Sequence, residues 1–280
     1  MFRIIFWGVR GSIPTPGPDT VSVGGNTTCV EVKLDNELIV FDGGTGMRLF
    51  GESLDDQESV QARIFFSHVH WDHIQGFPFF RPAFIKGNSF DLYGGGNFTR
   101  TLEETLLGQM NFPNFPVTLD TMVGEMHFHD VDTNKPVVFS NPDGDVMVTP
   151  VPLNHPNGCF GYRVDYHEKS MVFATDTEHF VKPDPNLLRV CKDADILIYD
   201  AQYTPEEYAG YPGYLSKTGW GHSTFAEGAK LSSIANVKRL VLTHHDPSQD
   251  DAAVMEKERR CQELLENSEA AREGLVIDLE

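Results

Sequence analysis

Six short apolar runs in this sequence each end in a polar residue that can bind a metal ion or carry a proton. Buried strands that deliver polar groups from their ends are how α/β proteins assemble a site on a rigid scaffold. One such ending would carry little weight, but six within 280 residues predict an α/β fold in which the strand ends meet. The six runs are Leu38–Asp42, Ile64–His68, Val148–His155, Val172–Asp176, Ile196–Asp200 and Leu240–His244.

Short apolar runs alternate with loops and helical patches, and no internal repeat or long linker interrupts them. We therefore expect one domain over residues 1–280. The predicted strands are Arg3–Trp7, Cys29–Leu34, Leu38–Phe41, Arg63–Phe66, Phe90–Tyr93, Asp145–Val151, Gly161–Tyr166, Ser170–Ala174, Asp195–Tyr199 and Arg239–Leu242. The predicted helices are Thr99–Leu107, Thr224–Ala235 and Ala252–Leu265. Thr224 and Glu227 fit a capping box at the start of the second helix.

The charge balance limits the partners. With 22 basic and 41 acidic residues the net charge is −19, whereas proteins that bind long nucleic acids present basic surfaces. We therefore expect no long nucleic acid as a partner. No run of about 18 apolar residues predicts a membrane span, and the apolar start of the chain is too short for a signal peptide. These features predict a cytoplasmic protein.

Four cysteines are widely separated and form no Cys-x-x-Cys pair. This spacing argues against a thiolate zinc site or a redox pair. We expect reduced, mostly buried thiols. The four are Cys29, Cys159, Cys191 and Cys261.

The segment Ser67-His-Val-His-Trp-Asp-His73 places three imidazoles and a carboxylate within six residues. In a tight turn after a strand, His68 and His70 can face one metal ion while Asp72 and His73 face a second. Imidazole and carboxylate ligands suit Zn²⁺, and also Mn²⁺ or Fe²⁺. The alternative is a histidine-rich surface turn that binds no metal.

The pattern His68-x-His70-x-Asp72-His73 resembles the signature of the metallo-β-lactamase superfamily, and the later strand ends follow the same order. The resemblance implies a four-layer αββα sandwich of the metallo-β-lactamase fold, with two divalent ions at one edge between the sheets. The implied ligands are His68, His70 and His155 for one ion, Asp72, His73 and His244 for the other, and Asp176 as a bridge between them. Asp42 matches a position that orients the site in that superfamily.

Two positions separate this chain from neighbouring branches of the superfamily. His70 is Glu in the di-iron flavoprotein branch, and Asp176 is usually Cys or Ser in true β-lactamases. Both identities favour the general hydrolase and phosphodiesterase side.

The segment Gly219-Trp-Gly-His222-Ser-Thr-Phe225 resembles the His-Ser-Thr loop of ribonuclease Z and related phosphodiesterases. Asp200 falls where that group carries an acidic residue paired with this histidine. A protonated His222, kept charged by Asp200, can give a proton to the poor alkoxide leaving group of a phosphodiester. The alternative is a structural histidine that caps a loop.

These features lead to a hypothesis for the reaction. Two metals about 3.5–4 Å apart hold a bridging hydroxide that attacks phosphorus in line, Asp72 helps to orient the hydroxide, and His222 donates the proton. The acidic charge favours a small phosphodiester, such as a cyclic nucleotide or cyclic phosphate. Trp71, Tyr203 and Trp220 can stack a base or can simply pack.

Some positions stay open. Arg10 and Asn26 can line the site from glycine-rich loops, and residues 109–116 can form a loop over the site or an oligomer contact. Ribonuclease Z relatives are often dimers, so the resemblance implies a homodimer. Among the remaining histidines, His127 and His129 are predicted at the surface, His167 at an exposed hairpin tip, His179 away from the site or at its edge, and His245 beside the ligands or at the surface.

Three alternative functions remain. A thioester or lactone hydrolase of the same fold would use the same ligands but would not need the Asp200–His222 pair. A tRNA 3′-processing endonuclease would fit the resemblance, but no basic arm is visible in the sequence. A non-catalytic metal-binding interaction or sensor protein would gain nothing from an open two-metal arrangement.

Overall fold

The computed structural model describes residues 1–280 except 55–58, 96–99, 141, 212, 214 and 280. The strands are β1 (Phe2–Gly8), β2 (Cys29–Leu34), β3 (Glu37–Phe41), β4 (Gln61–Phe65), β5 (Ser89–Gly94), β6 (Glu125–Asp130), β7 (Val137–Phe139), β8 (Val146–Leu153), β9 (Cys159–Tyr166), β10 (Lys169–Ala174), β11 (Ile196–Asp200), β12 (Arg239–Thr243), β13 (Ser268–Ala270) and β14 (Val276–Leu279). The α-helices are α1 (Gly46–Ser53), α2 (Trp71–Ile74), α3 (Leu102–Gln109), α4 (Pro185–Cys191), α5 (Pro205–Ala209), α6 (Phe225–Ala235) and α7 (Asp251–Leu264).

The strands form two mixed sheets. The first has the order β14-β1-β2-β3-β4-β5-β6, and the second has the order β13-β12-β11-β10-β9-β8-β7. In the first sheet β3 and β4 run parallel, and in the second β10, β11 and β12 run parallel. β8 runs in the same direction as β10, because each is antiparallel to β9. The strands with polar endings therefore deliver them at one edge of each sheet.

The two sheets pack face to face between outer helices. Side chains from both sheets share the central core, where Phe41 of β3 stacks on Phe173 of β10 with ring centroids 5.1 Å apart. Helices α1 and α3 cover the outer face of the first sheet, and α4, α6 and α7 cover the second. The structure confirms the predicted αββα sandwich.

Each of the ten predicted strands overlaps an observed one, but four strands were not predicted from the sequence: β6, β7, β13 and β14. All four lie at the sheet edges, where half-exposed strands lack the continuous apolar runs that mark buried ones. β14 illustrates this, because it reads Val-Ile-Asp-Leu and gains its place by pairing with β1.

Three helices were predicted near their observed positions. Thr101 rather than Thr99 caps α3, which begins at Leu102, and Thr99 lies outside the described residues. Thr224 caps α6 by accepting the Glu227 N–H. The Glu227 carboxylate does not complete the predicted capping box and instead pairs with Lys230.

Four helices escaped the sequence analysis, although two of them carry start signals. Asp184 followed by Pro185 begins α4, and Thr204 forms a complete capping box with Glu207 at α5. The four helices α1, α2, α4 and α5 span only four to eight residues, too few for an apolar periodicity to show.

Two further sequence expectations concern thiols and membrane spans. All four cysteines are free and buried, as predicted. No helix within the described ranges combines the length and apolarity needed to cross a membrane.

Candidate active site

The polar strand ends meet at the sheet edges in an unusual backbone conformation. Asp42, Asp176 and His244, which follow β3, β10 and β12, have φ values of 61°, 57° and 59°. Non-glycine residues rarely adopt this left-handed region, and such residues cluster at functional sites. Each turn redirects a side chain out of the strand and into a shared space between the sheets.

His68, His70 and His155 form the first group of possible ligands, here called the imidazole triad. One ring nitrogen of each lies within 4.8 Å of the others. His155 Nε2 is 3.1 Å from His70 Nδ1. The His68 side chain is buried, while His70 is partly exposed.

Asp72, His73 and His244 form the second group, here called the acidic triad. Asp72 and His73 belong to the short helix α2, and His244 follows β12. Asp72 Oδ2 is 3.1 Å from both His73 Nε2 and His244 Nε2. All three side chains are buried.

Asp176 lies between the two triads and divides its carboxylate oxygens between them. Its Oδ1 is 3.3 Å from His73 Nε2 and 3.2 Å from His244 Nε2. Its Oδ2 is 3.8 Å from His68 Nε2 and 3.7 Å from His155 Nε2. This is the placement that a carboxylate bridging two ions requires.

The groups fit divalent metal ions on two counts. His68 Nε2 and His73 Nε2 are buried and have no hydrogen-bond partner among the described residues, although buried polar atoms are normally satisfied. Two ligands of one tetrahedral zinc ion lie about 3.4 Å apart, close to the separations of 3.1–3.8 Å seen between the ligand atoms. Imidazole and carboxylate donors suit zinc and also manganese or iron.

A second layer of hydrogen bonds orients the ligands. Asp42 Oδ2 accepts from His73 Nδ1 at 2.8 Å, and Asp42 Oδ1 accepts the Ser67 N–H at 2.7 Å. The orienting position implied by the resemblance for Asp42 agrees with this geometry. A histidine whose Nδ1–H is held in this way presents its Nε2 lone pair to an ion.

Three further contacts of this kind were not foreseen from the sequence. Gln202 Oε1 accepts from His244 Nδ1 at 3.0 Å, and the Gly221 carbonyl accepts from His155 Nδ1 at 2.8 Å. The Ser12 N–H donates to Asp72 Oδ2 at 2.8 Å. Of these three residues, only Gln202 could have been suspected from the sequence, because it lies two residues after Asp200 at the end of a predicted strand.

Electrostatics differ sharply between the histidines. Burial alone would lower the pKa of His73, but the Asp176, Asp72 and Asp42 carboxylates raise it well above its ordinary value. Burial and the neighbouring His73 lower the pKa of His68. The acidic triad therefore attracts positive charge, whereas the imidazole triad is neutral.

His222 and Asp200 form a buried pair beside both triads. His222 Nδ1 is 2.9 Å from Asp200 Oδ2, which also accepts the Thr177 N–H at 3.0 Å. Burial alone would lower the pKa of His222, but the Asp200 carboxylate outweighs it and raises this pKa to about 9. Because Nδ1 is engaged by Asp200, the proton on Nε2 is the one available for transfer.

An open cavity of about 460 Å³ lies over the site and is lined by Ser12, Val69, His70, Trp71, Asp72, Asp176 and His222. Of the three aromatic residues proposed from the sequence to stack a base or to pack, Trp71 and Trp220 are 79% and 53% exposed. Tyr203 is buried, and its hydroxyl accepts from Gln202 Nε2. Tyr203 is therefore a packing residue.

The two N-terminal candidates do not line this cavity. Arg10 is fully buried, and its guanidinium donates to the carbonyls of Gly24 and Gln249. Asn26 binds Glu273. Arg10 and Asn26 belong to the packing of the N-terminal loop, and Ser12 is the residue from this region that reaches the site.

The segment 109–116 lies beside α2. Gln109 donates to the Ile74 carbonyl, and Phe115 contacts the exposed Phe79 ring edge-on. Together with Trp71 these side chains border a groove of about 700 Å³ next to the site.

The remaining histidines lie outside the ligand groups of the described residues. His127 and His167 are exposed, as predicted. His129 is partly buried and pairs with Asp91. His179 contacts Ser223 Oγ. His245 is fully buried against the Ala271 carbonyl, so the surface alternative for it was wrong.

Comparison with known proteins agrees with this architecture. Residues 39–245 match the Beta-lactamase superfamily domain. A ribonuclease Z from Lactiplantibacillus plantarum is 24% identical over 87% of this chain and 88% of its own length. The metallo-beta-lactamase fold protein YhfI from Bacillus subtilis superposes with a TM-score of 0.71 at 15% identity, covering 99% of this chain and 98% of that one.

A diphosphatase from the PhnP family has a TM-score of 0.69 at 18% identity, covering 100% of this chain and 98% of that one. These likenesses extend over nearly the whole chain, and the family match includes every strand end that supplies the two triads. The protein belongs to the beta-lactamase superfamily and is a metal-dependent hydrolase of the metallo-β-lactamase fold.

Proposed function

We propose that this hydrolase is a binuclear phosphodiesterase that acts on a small substrate, a cyclic nucleotide or another cyclic phosphate. The observation that carries the proposal is the Asp200–His222 pair beside the ligand groups. Hydrolysis of a thioester does not require this additional proton donor, because a weakly basic thiolate leaves the tetrahedral intermediate without a proton. A phosphodiester expels a basic alkoxide and gains most from a positioned acid.

Two ions held by the triads and Asp176 would supply an activated water nucleophile and positive charge near the phosphoryl oxygens. The chain's own groups do the rest. The Ser12 N–H donates to Asp72 Oδ2 and fixes the Asp72 carboxylate. His222 gives its Nε2 proton to the departing oxygen. The proton on His222 Nδ1 stays there, hydrogen-bonded to the Asp200 carboxylate. In the net reaction the water oxygen forms a new bond to phosphorus while the P–O bond to the leaving group breaks. The products are a phosphomonoester group and a free hydroxyl.

The substrate size rests on charge and on the cavity. The net charge of −19 disfavours a long RNA, and an open cavity of about 460 Å³ suits a small molecule. The rival is tRNA 3′ processing, favoured by relatives that are named ribonuclease Z. Cleavage of a precursor tRNA at moderate salt, faster than that of cyclic nucleotides, would favour this rival.

The test compares leaving groups in the wild type and in His222→Ala. We expect His222→Ala to lower kcat on a 2′,3′-cyclic nucleotide by about 10²–10⁴-fold, the usual range for a general acid. The loss on bis(p-nitrophenyl) phosphate should be smaller, because p-nitrophenolate leaves without a proton. Metal content is measured on both proteins, and a thioester and a lactone serve as control substrates.

Equal losses on the two diesters, with metals retained, would show that His222 is not the proton donor. Thioester or lactone turnover that exceeds diester turnover and does not change in His222→Ala would overturn the proposed function.

The pH profile gives an independent check. A general acid works only while protonated, so activity on the cyclic nucleotide should fall as pH rises through the pKa of His222, raised to about 9 by Asp200. Asp200→Asn removes the charge that raises it, and the alkaline limb should move to lower pH. An unmoved limb in Asp200→Asn would assign it to another group.

A further inference from the structure

The turn that leads into His222 holds a lysine beside the site. Trp220 N–H donates to the Lys217 carbonyl, and Lys217 N–H donates to the Tyr208 carbonyl, both at 3.0 Å. The Glu178 carboxylate accepts the N–H groups of Gly219 and Gly221 at 2.7 and 2.9 Å. These bonds fix the backbone of residues 217–222, here called the Lys217 turn.

The Lys217 ammonium is held against aromatic faces. Its Nζ lies 4.0 Å from the centroid of the Trp220 ring and 5.5 Å from that of Tyr203, within the range of a cation–π interaction. The Tyr203 ring is in turn 6.0 Å from the His222 ring. Lys217 and the proton donor thus contact the same buried tyrosine.

The Lys217 ammonium has no ion-pair partner among the described residues, in a chain with 41 acidic residues. The Glu178 carboxylate that holds the same turn is engaged by backbone N–H groups and the Tyr208 hydroxyl. Several other cations of the protein do have carboxylate partners, such as Arg3 with Asp278 and Lys238 with Asp195. Lys217 is half-buried, and its Nζ and the His222 ring both lie against the Tyr203 ring. A cation in this position can receive an anionic group of a ligand that extends from His222 toward the Lys217 turn.

We infer that Lys217 is a specificity-determining residue that recognises a second anionic group on the leaving-group side of the substrate. The inference rests on the proposed function, because the proton of His222 marks where the leaving oxygen lies. A leaving group that extends from His222 toward Lys217 meets an ammonium and the exposed face of Trp220. The substrate class is therefore a phosphodiester whose leaving group carries a carboxylate or phosphate in addition to the scissile phosphoryl group.

The test uses two matched aryl diesters, bis(4-carboxyphenyl) phosphate and bis(4-carbamoylphenyl) phosphate, whose leaving groups differ by one negative charge. Release of the phenol is followed by chromatography for the metal-loaded wild type, Lys217→Met and Lys217→Arg. We expect Lys217→Met to lower kcat/KM about fivefold on the carboxylate substrate, the size that one charge pair near the surface provides. The amide substrate should change by less than about twofold, and Lys217→Arg should keep the preference.

The outcomes separate the two proposals. If wild type cleaves both diesters in a His222-dependent way but Lys217→Met changes both equally, the phosphodiesterase stands and the role of Lys217 is overturned. If wild type cleaves neither these diesters nor cyclic nucleotides, the proposed function fails and the inference fails with it. Circular dichroism checks that Lys217→Met is folded. If it is not, Lys217→Gln takes its place, and an unchanged ratio of kcat/KM between the two diesters in Lys217→Gln would overturn the inference.

Discussion

The imidazole triad and the acidic triad meet at Asp176, yet they differ in charge and in exposure. His70 of the imidazole triad is partly exposed at the mouth of the site, and the triad carries no carboxylate of its own. In the acidic triad Asp72 is a ligand, and a further carboxylate, Asp42, stands behind His73. The two groups of possible ligands are therefore unequal, and we expect the acidic triad to bind a metal ion more tightly than the imidazole triad does.

The second layer repeats this difference. In the acidic triad a carboxylate and a side-chain amide hold the outer nitrogens of His73 and His244. In the imidazole triad a backbone carbonyl holds His155 and the Ser67 hydroxyl contacts His68 Nδ1. A carboxylate raises the basicity of a ligand more than a carbonyl does. We therefore expect the acidic triad to retain a metal ion more strongly than the imidazole triad does.

Asp176 contacts both triads, so its removal should have the largest effect on metal content and on turnover. Asp176→Ala takes a shared ligand from both triads and removes the carboxylate that lies 3.2–3.9 Å from five histidine nitrogens. We expect loss of at least one ion and a fall in kcat of about a thousandfold or more, the scale for an essential group aimed at the transition state. Metal analysis after desalting and diester turnover measure both effects.

The control for Asp176→Ala is Asp195→Asn. Asp195 is also buried, but it binds Ser170 and Lys238 and contacts none of the candidate ligands. Retention of two ions and of near-normal turnover in Asp176→Ala would show that the two triads do not need a bridge.

A paired substitution sharpens the comparison. Asp72→Asn removes one negative charge from the acidic triad at nearly constant size, and His70→Gln removes an imidazole from the other triad. We expect Asp72→Asn to weaken the tighter step of a zinc titration by at least about 10–100-fold, the range known for groups that tune a ligand. His70→Gln should weaken only the looser step.

Calorimetry of zinc binding to the metal-free protein resolves the two steps. If both variants alter the same binding step, or if His70→Gln removes the tighter step, the expected order of zinc affinity between the two triads is wrong.

The smallest effect concerns stability behind the acidic triad. Lys257 is fully buried and donates to the Ala201 carbonyl and to Gln249, whose side-chain amide donates to the Gln202 carbonyl. Burial lowers the pKa of Lys257 to about 7, whereas an unfolded lysine has a pKa of about 10.4. Between these values the unfolded chain binds more protons, so the free energy of unfolding rises with pH, by up to about 1.4 kcal/mol per unit.

Lys257→Met removes this contribution, because methionine does not titrate. Urea unfolding of the metal-free protein at several pH values between about 7 and 10 gives the slope for each protein. The wild-type slope should exceed that of the variant throughout this range. Equal slopes would mean that Lys257 stays protonated in the folded protein.

Local sequence predicted the buried strands and their polar endings, whereas the αββα fold and the set of candidate ligands came from the resemblance to a known superfamily. Asp42, His68, Asp176 and His244 each follow an apolar run whose burial drives strand formation, so an alternation of run and polar ending could be read without knowing any contact. The edge strands and the short helices α1, α2, α4 and α5 could not be found in the same way, since pairing or packing rather than a local pattern stabilises them.

The sequence by itself determined which residues follow the buried strands and in what order along the chain, from the His68–His73 cluster to the final His244. Only the tertiary structure decided how these groups are held. Asp72 contacts His244 from 172 residues away, and His155 is oriented by a carbonyl 66 residues away. It also buried Arg10 and Tyr203, which the sequence left open as possible site residues, and placed Lys217 and His222 against the same Tyr203 ring. Such contacts depend on where distant segments cross, and no local periodicity encodes that crossing.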